Sequence, residues 1–158
     1  MHADNWAIKA KRMGYRSRAV FKLEEILDKL HNDKSYKNVL DLGSAPGGWS
    51  QYISLMHPKT KIFAIDLLDM DPITGVTFIK DDIRNIGDIN IINPFKGKFD
   101  LVISDIAPNL SGIKSVDDEN IFELNLMSIN IANKYSKDTN AAMIIKTFQN
   151  NNLKSLRK

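Results

Sequence analysis

The sequence predicts an α/β domain, a mostly parallel sheet with helices on both faces. Three observations predict it. From Asn38 onward, short apolar runs alternate with segments of helical periodicity. Those runs are apolar continuously, rather than at every second residue, as in strands covered from both sides. The first run also feeds a glycine-rich turn, Asp41-Leu42-Gly43-Ser44-Ala45-Pro46-Gly47-Gly48-Trp49-Ser50, that leads straight into helix-forming sequence. A strand that turns into a helix through glycines is how such folds hold nucleotide-like ligands.

Taken in order, Asn5 to about Leu30 reads as helical. Ala19, Val20, Leu23, Ile26, Leu27 and Leu30 recur at helical spacing, and Gly14 separates a basic lead-in. Asn38 to Leu42 is the first strand and Trp49 to Met56 the helix after it. Lys61 to Asp66, Gly75 to Lys80 and Phe99 to Asp105 are the next three strands. Asp117 to Tyr135 is a long amphipathic helix with Ile121, Leu124, Met127, Ser128 and Ile131 on one side. Ala141 to Phe148 is the fifth strand. Pro58, Pro72, Pro94 and Pro108 fall between these elements, as turns require.

The length of 158 residues suits one domain over 1–158. Within it, 1–35 is a basic helical segment, 36–149 an α/β core and 150–158 a short tail. No apolar run reaches the ~18 residues of a membrane span, and the N-terminus lacks a hydrophobic signal core. The chain has no cysteine, which excludes disulfides and cysteine-bound metals and is compatible with the cytoplasm. His2, His31 and His57 have no metal-ligand spacing, so no metal is expected. The net charge is +3, but Lys9, Lys11, Arg12, Arg16, Arg18 and Lys22 crowd the first 22 residues, opposed only by Asp4. Such an excess suits a polyanion, and equally the solvated face of a helix.

Ligands of parallel sheets sit beyond the carboxyl ends of the strands. Three strands finish in aspartate at that edge, Asp41, Asp66 and Asp105, and the fifth carries Lys146. Asp66 stands where an acidic residue accepts hydrogen bonds from ribose hydroxyls. Gly47 and Gly48 would let the backbone approach a ligand that a Cβ would exclude. Asp82, after the third strand, could hold an adenine amino group. Trp49 could stack near the ligand or simply be core. The glycine spacing is not Gly-x-Gly-x-x-Gly, which points away from a dinucleotide and toward S-adenosyl-L-methionine.

Several motifs together resemble one family. They are Gly14-Tyr15-Arg16-Ser17-Arg18-Ala19-Val20-Phe21-Lys22-Leu23, the 41–51 turn, Asp66-Leu67-Leu68-Asp69-Met70-Asp71-Pro72, Ser104-Asp105-Ile106-Ala107-Pro108-Asn109-Leu110-Ser111-Gly112 and Ile145-Lys146-Thr147-Phe148-Gln149. The chain is similar to the FtsJ-type ribosomal RNA large-subunit 2′-O-methyltransferases, in the right order from about Asp4 to Gln149. The resemblance implies a Rossmann-like methyltransferase fold and S-adenosylmethionine-dependent methylation of a ribose, a uridine of 23S rRNA in the bacterial members. It implies cofactor contacts at Gly47, Trp49, Asp66, Asp82 and Asp105. It also implies that Lys22, Asp105 and Lys146 are three of the family's Lys-Asp-Lys-Glu catalytic set, with Lys146 central. A ribose hydroxyl is a weak nucleophile at neutral pH, so a lysine kept deprotonated by nearby positive charge could serve as base. Lys9, Lys11, Arg12, Arg16 and Arg18 would then contact phosphates of ribosomal RNA in the large subunit.

The family continues beyond the fifth strand, with two further strands and the glutamate. The chain is therefore expected to be a carboxyl-terminally shortened member whose fifth strand is an apolar sheet edge. That departure keeps a second reading open, a non-catalytic RNA-binding or ribosome-assembly protein. A nucleotide-dependent oxidoreductase is disfavoured by the glycine spacing. An amino-methyltransferase is disfavoured because Asp105-Ile106-Ala107-Pro108 lacks the second proline and aromatic its sites prefer. The oligomeric state is left open.

Overall fold

The computed structural model describes residues 3–30 and 35–148. Helix α1 (Ala3–Arg12) and helix α2 (Val20–Lys29) come first, separated by a turn at 13–19 rather than running as one helix. Gly14 explains the break, because it sits in the left-handed region at φ 78°. Strand β1 (Asn38–Leu42), helix α3 (Gly48–Met56), β2 (Lys61–Asp66) and β3 (Val76–Lys80) follow. Two short 3₁₀ turns at Ile83–Asp88 and Asn93–Phe95 lead into β4 (Leu101–Ser104), α4 (Lys114–Tyr135) and β5 (Ala142–Ile145). The 150–158 tail, Gln149 of the last motif, and His2 and His31 lie outside the described residues.

All strand pairs are parallel, in the order β3-β2-β1-β4-β5. This is the predicted α/β architecture. Alternation along each strand divides the core in two. Leu40, Leu42, Phe63, Ile65 and Val102 point to the side covered by the 3₁₀ turns and the Ile131–Tyr135 end of α4. Val39, Ile62, Leu101, Ile103 and Ile144 point to the side covered by α2 and α3. Helix α2 meets this second layer with Val20, Leu23 and Leu27, spaced by helical turns. The buried stripe of α4 runs through Ile121, Asn125, Ser128, Ile131, Ala132 and Tyr135. Leu124 and Met127, expected on that stripe, are only half-buried. Ser128 instead donates to the Leu124 carbonyl and lies 3.2 Å from Ser104 Oγ, which satisfies the polar atoms buried at the helix–sheet seam.

The chain leaves β1 for β2 on one side, and β4 lies on the other. This change of direction opens a crevice beyond the carboxyl ends of β1 and β4. Among the described residues, β5 is an outer strand of the sheet, with Met143 43% exposed. No described helix is long and apolar enough to cross a membrane.

Candidate functional site

The turn after β1 is shaped by close approach of protein to protein. Gly43, at φ 74°, has Ile106 so near that a Cβ would meet its Cγ1 at 2.5 Å and its Cα at 2.9 Å. A Cβ on Gly47 would meet Ile73 Cδ1 at 2.7 Å and Met70 Sδ at 2.9 Å, and one on Gly48 would meet Ser17 Cβ at 2.9 Å. The space that a Cβ would take at Gly47 and Gly48 is therefore filled by neighbouring segments of the chain and not left for a ligand, while Gly48 lines a small cavity with Asp41 and Asp105. The turn is hung on β2 by main-chain bonds: Gly43 and Ser44 N–H both donate to the Ile65 carbonyl, at 2.8 and 3.2 Å.

Asp66 spans the mouth of the crevice. One carboxylate oxygen accepts from Ala45 N–H and the other from Leu68 N–H, each at 2.8 Å. A carboxylate has about four acceptor positions, so two stay available to hydroxyls. A cavity of about 420 Å³ opens here, lined by Gly43, Asp66, Leu67, Leu68, Asp82, Asp105 and Ile106 among others. Asp82 caps the following 3₁₀ turn through Arg84 N–H and pairs with the Arg84 guanidinium at 2.8 Å. Ser44 Oγ is buried without a hydrogen-bond partner, and Ser44 lines a separate small space of about 20 Å³ with Ser17, Asp41 and Trp49.

Asp41 is not at the rim. It lies inside β1, 1% exposed, and accepts from Ser50 Oγ at 2.7 Å. Burial pushes its carboxyl up to about 7; the Ser50 bond opposes this, while the charges of Asp105 and Asp66 add to it. Trp49 is likewise core: its Nε1 donates to the Ala19 carbonyl at 2.9 Å, and its ring packs with Val20 and Ile53.

Lys146 and Asp105 are brought together by sheet register. Ser104 pairs with Ile145, and Lys146 N–H donates to the Ser104 carbonyl at 2.8 Å, so the ladder runs on past the strand ends. Side chains opposite one another in a parallel pair share a face. The next pair is Asp105 and Lys146, and Lys146 Nζ lies 2.8 Å from Asp105 Oδ1. Lys146 also lines a second cavity, about 450 Å³, together with Lys22, Trp49, Asn125 and Thr147. The ion pair thus stands between two cavities, Asp105 lining one and Lys146 the other. Lys22 shares the second cavity but directs its ammonium to Glu25, at 2.9 Å, on the exposed side of α2.

The basic residues near the start of the chain have different surroundings. Lys9 Nζ sits over the rings of Trp6 and Phe21, at 5.0 and 4.7 Å from their centroids. Lys11, Arg12 and Arg18 are exposed. Arg16 is turned inward, its guanidinium donating to the carbonyls of Pro46, Asp71 and Pro72. Its type and position in a basic run gave no hint of those acceptors, which are main-chain atoms assembled by the fold. Among the described residues, no group of three or more His, Cys, Asp or Glu is arranged to hold a metal ion.

Comparisons with known proteins agree with this architecture. A profile of FtsJ-like methyltransferases matches residues 15–158. The chain is 45% identical over 120 residues to the ribosomal RNA large subunit methyltransferase E of Dichelobacter nodosus (strain VCS1703A), covering 73% of this chain and 57% of that one. It is 42% identical over 150 residues to the enzyme of the same name from Francisella tularensis subsp. tularensis (strain WY96-3418), covering 93% of this chain and 72% of that one. The chain thus spans between about half and three quarters of the length of these curated relatives. A crystal structure of a ribosomal RNA methyltransferase from Plasmodium falciparum superposes with a TM-score of 0.80 at 33% identity, covering 90% of this chain and 84% of that one. With the motifs in order, the parallel sheet and these matches in agreement, the chain belongs to the FtsJ-like methyltransferase family.

Proposed function

We propose that the chain catalyses S-adenosylmethionine-dependent 2′-O-methylation of a ribose in the RNA of the large ribosomal subunit, in the cytoplasm, with Lys146 as general base. The observation that carries this reading is the Lys146–Asp105 pair standing between two cavities at the carboxyl ends of β4 and β5. A transfer enzyme needs a donor and an acceptor to meet at one point, and this pair marks such a point.

The cleft beside Asp66 has the chemistry for a cationic nucleoside. Asp66, Asp82 and Asp105 line it, and Leu67, Leu68 and Ile106 offer apolar surface for a base. Asp66 would take the ribose hydroxyls and Asp82 the base amino group. When bound, the cofactor supplies an electrophilic methyl on a positively charged sulfur. The chain's own residues do the rest. Asp105 fixes the lysine side chain, and Lys146 accepts the proton of the ribose 2′-hydroxyl. Lys22, which lines the second cavity together with Lys146, adds positive charge next to the RNA. Lys9, Lys11, Arg12 and Arg18 contact phosphates, which positions the RNA without reading its sequence.

Proton removal by a placed base is worth about 10²–10⁴-fold in rate. Labelled cofactor incubated with undermethylated large subunits, followed by mapping of the modified ribose, tests the reading. Lys146→Ala should lower methyl transfer by about that factor with cofactor affinity retained. Transfer near the wild-type rate would remove Lys146 from the role. RNA binding by the wild type with no transfer at all would favour the non-catalytic reading.

A further inference from the structure

Arg16 lies in the basic segment but does not present its charge as a phosphate ligand would. Its Nη1 donates to the carbonyls of Pro46 and Asp71, at 3.2 and 2.6 Å, and its Nη2 to that of Pro72, at 2.7 Å. Pro46 belongs to the turn between β1 and α3, and Asp71 and Pro72 to the loop that follows β2. The backbone of Arg16 is fixed as well: its N–H donates to Gln51 Oε1 at 3.0 Å, and Gln51 Nε2 donates to the Gly14 carbonyl at 2.9 Å. The same two loops are bridged from inside the crevice by Asp66. Between the two ties, Met70 and Ile73 press on Gly47 without room for a Cβ.

We propose that Arg16 is a positioning residue of the cofactor cleft, a clamp that holds the 43–48 turn against the 67–73 loop, and not an RNA contact. Three carbonyls converging on one planar fork are matched by a guanidinium and not by an ammonium, so charge alone would not replace it. The naming of the ligand in this cleft rests on the function proposed above; the clamp itself does not.

Arg16→Lys and Arg16→Met separate clamp from charge. Affinity for S-adenosylhomocysteine is measured by calorimetry, amide exchange at Ser44, Ala45 and Leu68 by mass spectrometry or NMR, and RNA affinity across a salt series. Both variants should weaken S-adenosylhomocysteine about tenfold and speed exchange at those amides. Arg16→Lys should keep wild-type RNA affinity and salt slope. Wild-type ligand affinity and exchange in Arg16→Lys would overturn the proposal. So would an Arg16→Met variant that loses about one from the salt slope while its cleft is unchanged, which is the mark of a lost phosphate contact. If the wild type does not bind S-adenosylhomocysteine, the proposed function fails, and the exchange comparison still decides the clamp. Should Arg16→Met not fold, ligand affinity and amide exchange in Arg16→Lys still decide the clamp.

Discussion

Replacing Asp41 by asparagine should make the protein's stability less dependent on pH, in a direction opposite to that of most aspartates. Asp41 is buried in the central strand, and its carboxyl is raised from 3.8 to about 7, chiefly by burial. Below pH ~4 the carboxyl is protonated in both the folded and the unfolded chain, so it costs nothing. Between ~4 and 7 the folded chain keeps a proton that the unfolded chain has lost, and stability falls as pH rises. Above 7 the cost is complete and constant. The rise from 3.8 to about 7, at ~1.4 kcal/mol per pH unit, corresponds to a full cost of about 4 kcal/mol. The Asp41→Asn side chain keeps an acceptor for Ser50 Oγ and carries no charge at any pH. Urea unfolding of both proteins at pH 4.5 and 8 should show the wild type losing about 3 kcal/mol more than Asp41→Asn between the two conditions. Other titrating groups act on both proteins and cancel in the difference. Parallel changes in the two would refute the buried, protonated carboxyl.

Two further substitutions probe the loops that follow β1 and β4. Ser44→Ala removes a buried hydroxyl that has no partner in the folded chain, so stability should be unchanged or raised by about 1 kcal/mol in thermal unfolding; a clear loss of stability would mean the hydroxyl has a structural partner. Asp117 accepts from Ser111 N–H, Ser111 Oγ and Gly112 N–H, and the Ser111 backbone bond is the largest of the effects that hold its carboxyl below the ordinary 3.8. That contribution is present above the ordinary value and is lost as pH falls through the lowered one. Asp117→Ala should speed amide exchange at Ser111 and Gly112 at neutral pH, and the wild type should approach the variant's rates, after correction for intrinsic exchange, only in strong acid.

Much of the fold could be read from residue order. Val39-Leu40, Ile62-Phe63-Ala64-Ile65 and Leu101-Val102-Ile103 are apolar on both faces because both faces are covered, and that shows as an unbroken run. The meeting of Asp105 and Lys146 was also legible, because parallel strands of matched length finish at the same edge. What could not be read were partners made of main-chain atoms. The acceptors of Arg16 are carbonyls, and every residue has one, so no pattern of side chains announces them. Gly47 and Gly48 looked like room for a ligand because a missing Cβ has the same spelling whether a ligand or another segment occupies the space. Asp41 looked like part of the rim because one residue along a strand decides between edge and interior.

The pairing of Lys146 with Asp105 is written into a hydrogen-bonded ladder, not into a loop. Apolar exchanges within Ala142–Ile145 can alter packing and still deliver the amine to the same place. Deleting one residue there would send it to the opposite side of the sheet, where α4 lies. The protein should thus tolerate drift in the spelling of its fifth strand far better than any change in its length.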